Sequence, residues 1–77
     1  MITVYSADWC AYCHMVKRYF DGLGIKYEEK NIETDPNAAA ESEEKSGQRG
    51  IPVIDIDGKI IIGFDRLEID IALAKQN

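Results

Sequence analysis

Two cysteines three positions apart, Cys10 and Cys13, follow a short apolar run, and this arrangement constrains the chain more than any other feature. The run from Ile2 to Tyr5 has the composition of a buried β-strand. If a helix begins near Cys10, both sulfurs lie at its first turn, where one disulfide bond can form and break reversibly. We therefore predict a strand, a tight connection and a helix with a redox-active pair at its start.

The chain has 77 residues, the size of one small domain. These two cysteines are the only ones, and a disulfide between them closes too small a loop to restrict the unfolded chain much. Such spacing is typical of intracellular redox or metal chemistry. The sequence has no signal peptide and no apolar segment of membrane-helix length, so we expect a soluble, cytoplasmic, monomeric protein. A net charge of −5 without a basic run argues against nucleic acid as a partner.

The first helix is predicted from apolar positions that recur at helical spacing, with one face packing inward: Tyr12, Val16, Tyr19, Phe20 and Leu23. Gly22 and Gly24 supply its end. Residues 25–32 then predict a second strand, and its many charged side chains are typical of a sheet edge.

A second helix is predicted to open with a capping carboxylate, Asp35, and a proline at its first position, Pro36. Gly47 ends it. Its acidic residues are those of a mostly solvated helix: Glu41, Glu43 and Glu44.

Two β-rich runs, residues 53–56 and 59–62, flank the pair Asp57-Gly58. Both residues of this pair accept the positive φ angles of a tight hairpin turn, so the two strands should be antiparallel neighbours. Asp65 is expected to cap a last helix whose apolar residues share one face: Leu67, Ile71 and Ala74.

The element order βαβ-ββα contains no linker or repeat, so residues 1–77 are expected to form a single domain. A right-handed crossover makes the first two strands parallel neighbours, and the hairpin adds two strands on the other side of the first. The prediction is an α/β fold, a four-stranded mixed sheet flanked by three helices. This is the minimal thioredoxin architecture.

Three motifs follow one another along the chain: Cys10-Ala11-Tyr12-Cys13, Ile51-Pro52 and Gly63-Phe64-Asp65. In this order and spacing, the chain resembles the short glutaredoxin-like redoxins of the thioredoxin superfamily, of the NrdH-redoxin type, over nearly its whole length. The resemblance implies a thiol-disulfide oxidoreductase that reduces protein disulfides. It assigns Cys10 as the attacking thiol and Cys13 as the resolving thiol, and it implies a cis form for Pro52.

The chemistry of a helix start agrees with those roles. At Cys10, backbone N–H groups without helical acceptors face the sulfur, and the positive end of the helix dipole adds to their effect. We expect the pKa of this thiol to lie below that of a free cysteine. Cys13, one turn further on, should be more buried and stay a thiol until a mixed disulfide forms at Cys10.

Residues around the pair are candidates for substrate binding: Trp9, Tyr12, Arg49, Gly50, Ile51, Pro52, Gly63, Phe64 and Asp65. The backbone of Ile51 is expected to pair with an extended peptide, and Gly50 to leave room for it. Trp9 and Tyr12 either stack on that peptide or shield apolar surface. Arg49 either meets a substrate carboxylate or is a loop charge. Capping of the last helix is the simplest role for Asp65, and the resemblance to glutaredoxins implies that its segment also holds the amino end of glutathione.

The residues just after the pair have a simple structural interpretation. His14 is expected to be a solvated residue on the outer helix face, with adjustment of the thiolate as the alternative. Lys17 and Arg18 are also expected to be solvated, with Lys17 adding weak positive potential.

The electron donor is left open between two classes. Glutathione-using relatives usually carry a basic residue where this chain has Ala7, a Thr-Val-Pro loop where it has Gly50-Ile51-Pro52, and paired glycines where it has Gly63-Phe64. These departures resemble the redoxins that serve ribonucleotide reductase and are reduced by thioredoxin reductase. We expect thioredoxin reductase as donor, and a glutathione-dependent glutaredoxin, with glutathione as co-substrate, is the alternative.

No tightly bound cofactor is expected. Zinc normally takes four ligands, and beyond the two cysteines and His14 the chain offers no second cluster, so we expect no metal site. A subunit-bridging iron-sulfur cluster and a redox sensor without turnover are further alternatives.

Overall fold

The computed structural model describes residues 1–76 of the chain. Its elements in chain order are β1 (Ile2–Ser6), α1 (Ala11–Gly22), β2 (Glu28–Asn31), α2 (Pro36–Ser46), β3 (Val53–Ile56), β4 (Lys59–Ile62) and α3 (Arg66–Ala74). The four strands form one sheet in the order β2-β1-β3-β4. Strand β1 is parallel to β2 and antiparallel to β3, and β3 is antiparallel to β4. The predicted thioredoxin-like architecture and topology are confirmed.

Side chains of β1 alternate between the two faces of the sheet, and each face carries its own apolar cluster. Helices α1 and α3 cover the larger cluster, whose buried members are Ile2, Val4, Val16, Phe20, Ile54, Ile56, Ile61, Ile69 and Ala72. Helix α2 covers the opposite face, where Tyr5, Ala38 and Val53 are buried together. The sheet is thus sandwiched between helices, and the start of α1 follows directly from the end of its inner strand β1.

The hairpin between β3 and β4 forms as predicted. Asp57 has a φ of 50° and Gly58 a φ of 94°, so both residues adopt the left-handed conformation that a two-residue hairpin turn requires. The Gly58 N–H also donates to the Asp55 side chain at 2.8 Å. Residues with short polar or absent side chains adopt these angles at low cost, which is why this turn was readable from sequence.

Strand β2 is shorter than predicted, because Ile25 belongs to the connection that precedes it. The Ile25 N–H donates to the Phe20 carbonyl at 2.9 Å, and its side chain packs on the large apolar cluster. The predicted position of β2 at a sheet edge is confirmed.

The apolar face predicted for α3 exists, but it points to solvent. Leu67 is 70 % exposed and Ile71 is 42 % exposed, whereas Ile69 and Ala72 are buried against the sheet. The helix is apolar on more than one side, so its periodicity alone does not select the inward face. A similar effect occurs at the two ends of the predicted inward face of α1, where Tyr12 and Leu23 are exposed.

Across residues 1–76, the helices are all too short or too polar to traverse a bilayer.

Candidate active site at the start of helix α1

Cys10 is the residue that caps the N-terminus of α1. Its backbone is extended, its carbonyl accepts the His14 N–H at 3.2 Å, and its sulfur accepts the backbone N–H of Cys13 at 3.1 Å. The Cys10 N–H donates in turn to the Ala7 carbonyl at 3.1 Å, which closes the turn after β1. The predicted placement of this sulfur among otherwise unpaired helix donors is confirmed.

The two sulfurs are joined in a disulfide, and the Cα atoms are 5.2 Å apart. Cys10 retains 6 % of its surface accessible to solvent, whereas Cys13 retains none. The expectation that Cys13 is the more buried of the two is therefore confirmed. A partner reaching the disulfide from solvent meets Cys10 first.

The disulfide lies in a small apolar cluster with Ala7, and Ile32 and Ile51 pack against its edge. The peptide bond between Ile51 and Pro52 is cis, as the family resemblance implied. Within residues 1–76 the Ile51 N–H and C=O take part in no backbone hydrogen bond. The structure thus brings an unoccupied backbone donor and acceptor beside the disulfide.

The side chain of Gln48 lies beside Gly50: a Cβ atom at position 50 would be 2.6 Å from the Gln48 side-chain oxygen. The role of Gly50 in leaving room for a substrate stays a prediction. The Gln48 amide donates to the Gly50 carbonyl at 2.9 Å, and its oxygen accepts the Gly50 N–H. Gln48 therefore braces the loop that presents Ile51. Sequence reasoning missed it because nothing in a single polar loop residue signals such a contact.

The last motif joins the loop to α3. The Gly63 N–H donates to the Pro52 carbonyl at 2.8 Å, and Pro52 itself is fully buried. Asp65 caps α3, because its carboxylate accepts the Glu68 N–H at 3.2 Å, so the capping role is confirmed. Phe64 packs edge-on against Tyr19 of α1, with 5.9 Å between ring centres.

Two aromatic side chains flank the disulfide in the open. Trp9 is 68 % exposed and Tyr12 is 62 % exposed, so neither shields much apolar surface in the isolated chain. This exposure favours the interpretation that they contact a partner. Their roles, like those of the other candidate binding residues, stay predictions.

Arg49 lines a pocket together with Ile32, one of the residues that pack against the disulfide cluster. Its side chain is 87 % exposed, and its nearest acidic partner is Glu43, at 3.5 Å. The structure shows Arg49 in none of the contacts that surround the disulfide, and its pairing with a substrate carboxylate also stays a prediction.

His14 is exposed, as expected, but it is not free. Its ring nitrogen Nε2 lies 2.7 Å from the Asp8 carbonyl, which ties the first turn of α1 to the loop before Cys10.

Lys17 contradicts the expectation that it is solvated. Its side chain is only 16 % exposed and its ammonium group lies 2.6 Å from the Glu29 carboxylate, which also accepts the Ser6 hydroxyl at 2.7 Å. These two donors hold the pKa of Glu29 below its usual range. The three residues come from α1, β2 and β1, so no local pattern in the sequence could have identified the cluster.

Within residues 1–76, no three histidine, cysteine or carboxylate side chains are grouped so that they could hold a metal ion.

Comparison with known proteins places this geometry in a family. The family model for glutaredoxin matches residues 2–61. An uncharacterized glutaredoxin-like 8.6 kDa protein in the rubredoxin operon of Clostridium pasteurianum is 39% identical over 75 residues, covering 97% of this chain and 100% of that protein.

Two solved structures are similar along most of the chain. The glutaredoxin-like protein NrdH-redoxin from Escherichia coli is 29% identical, with a TM-score of 0.77, and the match covers 99% of this chain and 95% of that one. A buckwheat glutaredoxin–glutathione complex is 31% identical, with a TM-score of 0.75, and the match covers 96% of this chain and 70% of that one. The sequence match and the paired sulfurs at the helix start agree: this chain belongs to the glutaredoxin family and is a thiol-disulfide oxidoreductase.

Proposed function

We propose that this chain reduces disulfides in other proteins through Cys10 and Cys13, and that thioredoxin reductase restores its dithiol. The observation that carries this proposal is the Cys10 sulfur at the N-cap of α1, 3.1 Å from the Cys13 backbone nitrogen. In the reduced protein, a thiolate at this position accepts that hydrogen bond and faces the positive end of the helix. Both interactions favour the thiolate over the thiol, and the thiolate is the nucleophile in exchange.

Exchange then proceeds in two displacements. The Cys10 thiolate attacks one sulfur of the substrate disulfide, that S–S bond breaks, and the departing substrate thiolate takes a proton from solvent. The Cys13 thiol loses its proton and attacks the Cys10 sulfur of the mixed disulfide, which releases the second substrate thiolate, and this thiolate takes up one proton. The substrate gains two electrons and two protons, and the Cys10–Cys13 disulfide seen in the structure is the oxidised product.

The surroundings of the disulfide favour a protein segment as substrate. The unpaired backbone of Ile51 can hydrogen-bond to an extended chain, and the exposed rings of Trp9 and Tyr12 offer surface on either side of Cys10. The family resemblance suggests ribonucleotide reductase as the disulfide-bearing partner, in the cytoplasm.

Three observations bear on the donor. The NrdH-redoxin that this chain resembles is described as having a thioredoxin-like activity profile, which supports thioredoxin reductase. The similar buckwheat glutaredoxin was solved with glutathione, which keeps glutathione as the second candidate. Asp8, two positions before Cys10, is exposed and opposes an anionic donor at the disulfide, and that favours the first candidate.

Coupled oxidation of NADPH separates the two donors. Native insulin, with its disulfides intact, serves as substrate. The reducing system is either thioredoxin reductase or glutathione plus glutathione reductase. We expect turnover with thioredoxin reductase and its complete loss in Cys10→Ser. Turnover only in the glutathione system would reverse the assignment of donor. No turnover with either donor would leave a redox sensor or a cluster-binding module.

Trapping identifies the substrate. In Cys13→Ser the second displacement cannot occur, so mixed disulfides at Cys10 accumulate when the reduced variant is incubated with cell extract. Mass spectrometry of the captured partners identifies the substrate. The double variant Cys10→Ser/Cys13→Ser, which has no cysteine, is the control for non-specific capture. Capture of ribonucleotide reductase is the expected result.

A further inference from the structure

An open groove lies between α1 and the segment that precedes α3. Its lining consists of Met15, Arg18, Tyr19 and Phe64. Tyr12 and Met15 lie one helical turn apart on the same side of α1, and both are exposed, at 62 % and 44 %. Apolar surface therefore continues from the residue two positions after Cys10 into the groove.

The far end of the groove is positively charged. Arg18 lines it, and the guanidinium group of Arg66 lies over the Tyr19 ring, 4.5 Å from the ring centre. Arg66 also donates to the Tyr19 hydroxyl at 3.4 Å, and that hydroxyl donates to Asp70. These contacts hold the ring and the guanidinium group in place before any partner arrives.

Neither arginine forms a direct ion pair, although the Asp70 carboxylate accepts from the same Tyr19 hydroxyl to which Arg66 donates. Both are exposed, and of the ion pairs found among residues 1–76 none includes Arg18 or Arg66. The chain carries 14 acidic residues against 9 basic ones, so two unpaired guanidinium groups beside the active site are a local exception to its charge. An exposed apolar strip that ends in such groups fits a segment with an apolar side chain followed by an acidic one.

We propose that this groove binds an extended segment of the substrate protein that carries an acidic side chain about four residues from the reactive cysteine. The inference rests on the proposed function. Arg18 lies eight positions after Cys10, which corresponds to about 12 Å along a helix axis. An extended chain covers about 3.3 Å per residue, so about four residues reach from the sulfur of Cys10 to Arg18. The side chains between them contact Met15 and Phe64.

Model peptides test the proposal directly. Each peptide has one cysteine, present as its mixed disulfide with thionitrobenzoate, and either glutamate or glutamine about four residues from it, on each side in turn. The pre-reduced protein attacks the disulfide, and absorbance follows release of the thionitrobenzoate anion in a single turnover. We expect one glutamate peptide to react about three- to fivefold faster than its glutamine partner at low salt, with the difference shrinking at high salt.

Variants locate the effect. Arg18→Gln should abolish the preference for glutamate, so that both peptides react at the same rate. Arg66→Gln should reduce the ratio of the two rates without abolishing it. Lys26→Gln removes the same charge from an exposed position outside the groove and should leave the preference intact. Equal rates for both peptides in the wild type, or an undiminished preference in Arg18→Gln, would overturn the groove assignment while exchange itself stands. No release of thionitrobenzoate from any peptide would overturn the proposed function, and the groove assignment with it.

Discussion

Helices α1 and α2 both begin with backbone N–H groups that lack an acceptor within the helix, and a different atom accepts from these groups in each helix. At α2 the Asp35 carboxylate accepts the Asn37 N–H at 3.0 Å, and at α1 the Cys10 sulfur accepts the Cys13 N–H at 3.1 Å. The carboxylate can only stabilise its helix, because it forms and breaks no covalent bond. The sulfur can be either a disulfide atom or an anion. The active site is thus a helix cap whose capping atom can change its chemical state.

The same comparison explains why the order of the two cysteines matters. Only the residue at the N-cap has its side chain facing the unpaired N–H groups, and Cys13 lies inside the helix with no exposed surface. The helix therefore favours an anion at Cys10, while burial keeps Cys13 from premature reaction. Reduction should strengthen the cap at α1, because a thiolate accepts hydrogen bonds better than a disulfide sulfur does.

The largest effect should come from replacing the capping sulfur by an oxygen that cannot form a disulfide. Cys10→Ser should reduce exchange with protein disulfides to the uncatalysed background, because no nucleophilic sulfur remains at the helix start. Its hydroxyl should nevertheless keep α1 capped, so its free energy of unfolding should exceed that of Cys10→Ala by about 1 kcal/mol. Insulin reduction and urea denaturation measure the two effects. Equal stability of the two variants would show that position 10 is no cap.

A smaller effect is expected at Asp35, the cap of α2, which takes part in no reaction. Asp35→Ala leaves the Asn37 N–H without its acceptor and should lower the free energy of unfolding by about 1 kcal/mol. Exchange rates should stay within twofold of wild type, since Asp35 lies at a different helix. Asp35→Asn retains a capping oxygen and serves as the matched control. A large fall in exchange rate for Asp35→Ala would mean that the two helix starts are not independent.

The smallest effect is the pH dependence of stability that arises from Glu41, an anion that, like Asp35, takes part in no reaction. Hydrogen bonds from Lys30 and Tyr5 lower the pKa of Glu41 from 4.5 to about 2. Because its pKa is depressed by folding, its ionised form contributes stability above pH 4.5 that is lost as the pH falls towards 2. The stability difference between wild type and Glu41→Gln, from denaturation at several pH values, should shrink over that interval. A difference that is constant with pH would contradict this account.

Much of the fold could be predicted because its signals are local. Asp35-Pro36, Asp57-Gly58 and Asp65 each adopt the conformation that their own side chains favour. The inward face of α3 could not be predicted, since the choice between Ile71 and Ile69 depends on how the helix docks on the sheet.

The candidate site also has a part that could be predicted from local sequence and a part that could not. Cys10, Cys13 and the Ile51-Pro52 loop follow from motif and family resemblance. The bracing by Gln48 and the ion pair between Lys17 and Glu29 depend on contacts formed only in the folded chain. Pattern analysis therefore identified the reacting atoms but not the side chains that support them.

The pKa of Cys10 in the reduced protein tests the central claim most directly. Titration of the thiolate absorbance in the ultraviolet, carried out on Cys13→Ser so that one thiol remains, yields this value without a contribution from a second thiol. The account predicts a pKa below the value of about 8.5 for a free cysteine thiol, because the helix start stabilises the anion. A pKa at or above about 8.5 would contradict it, since the helix start would then confer no advantage on the thiolate.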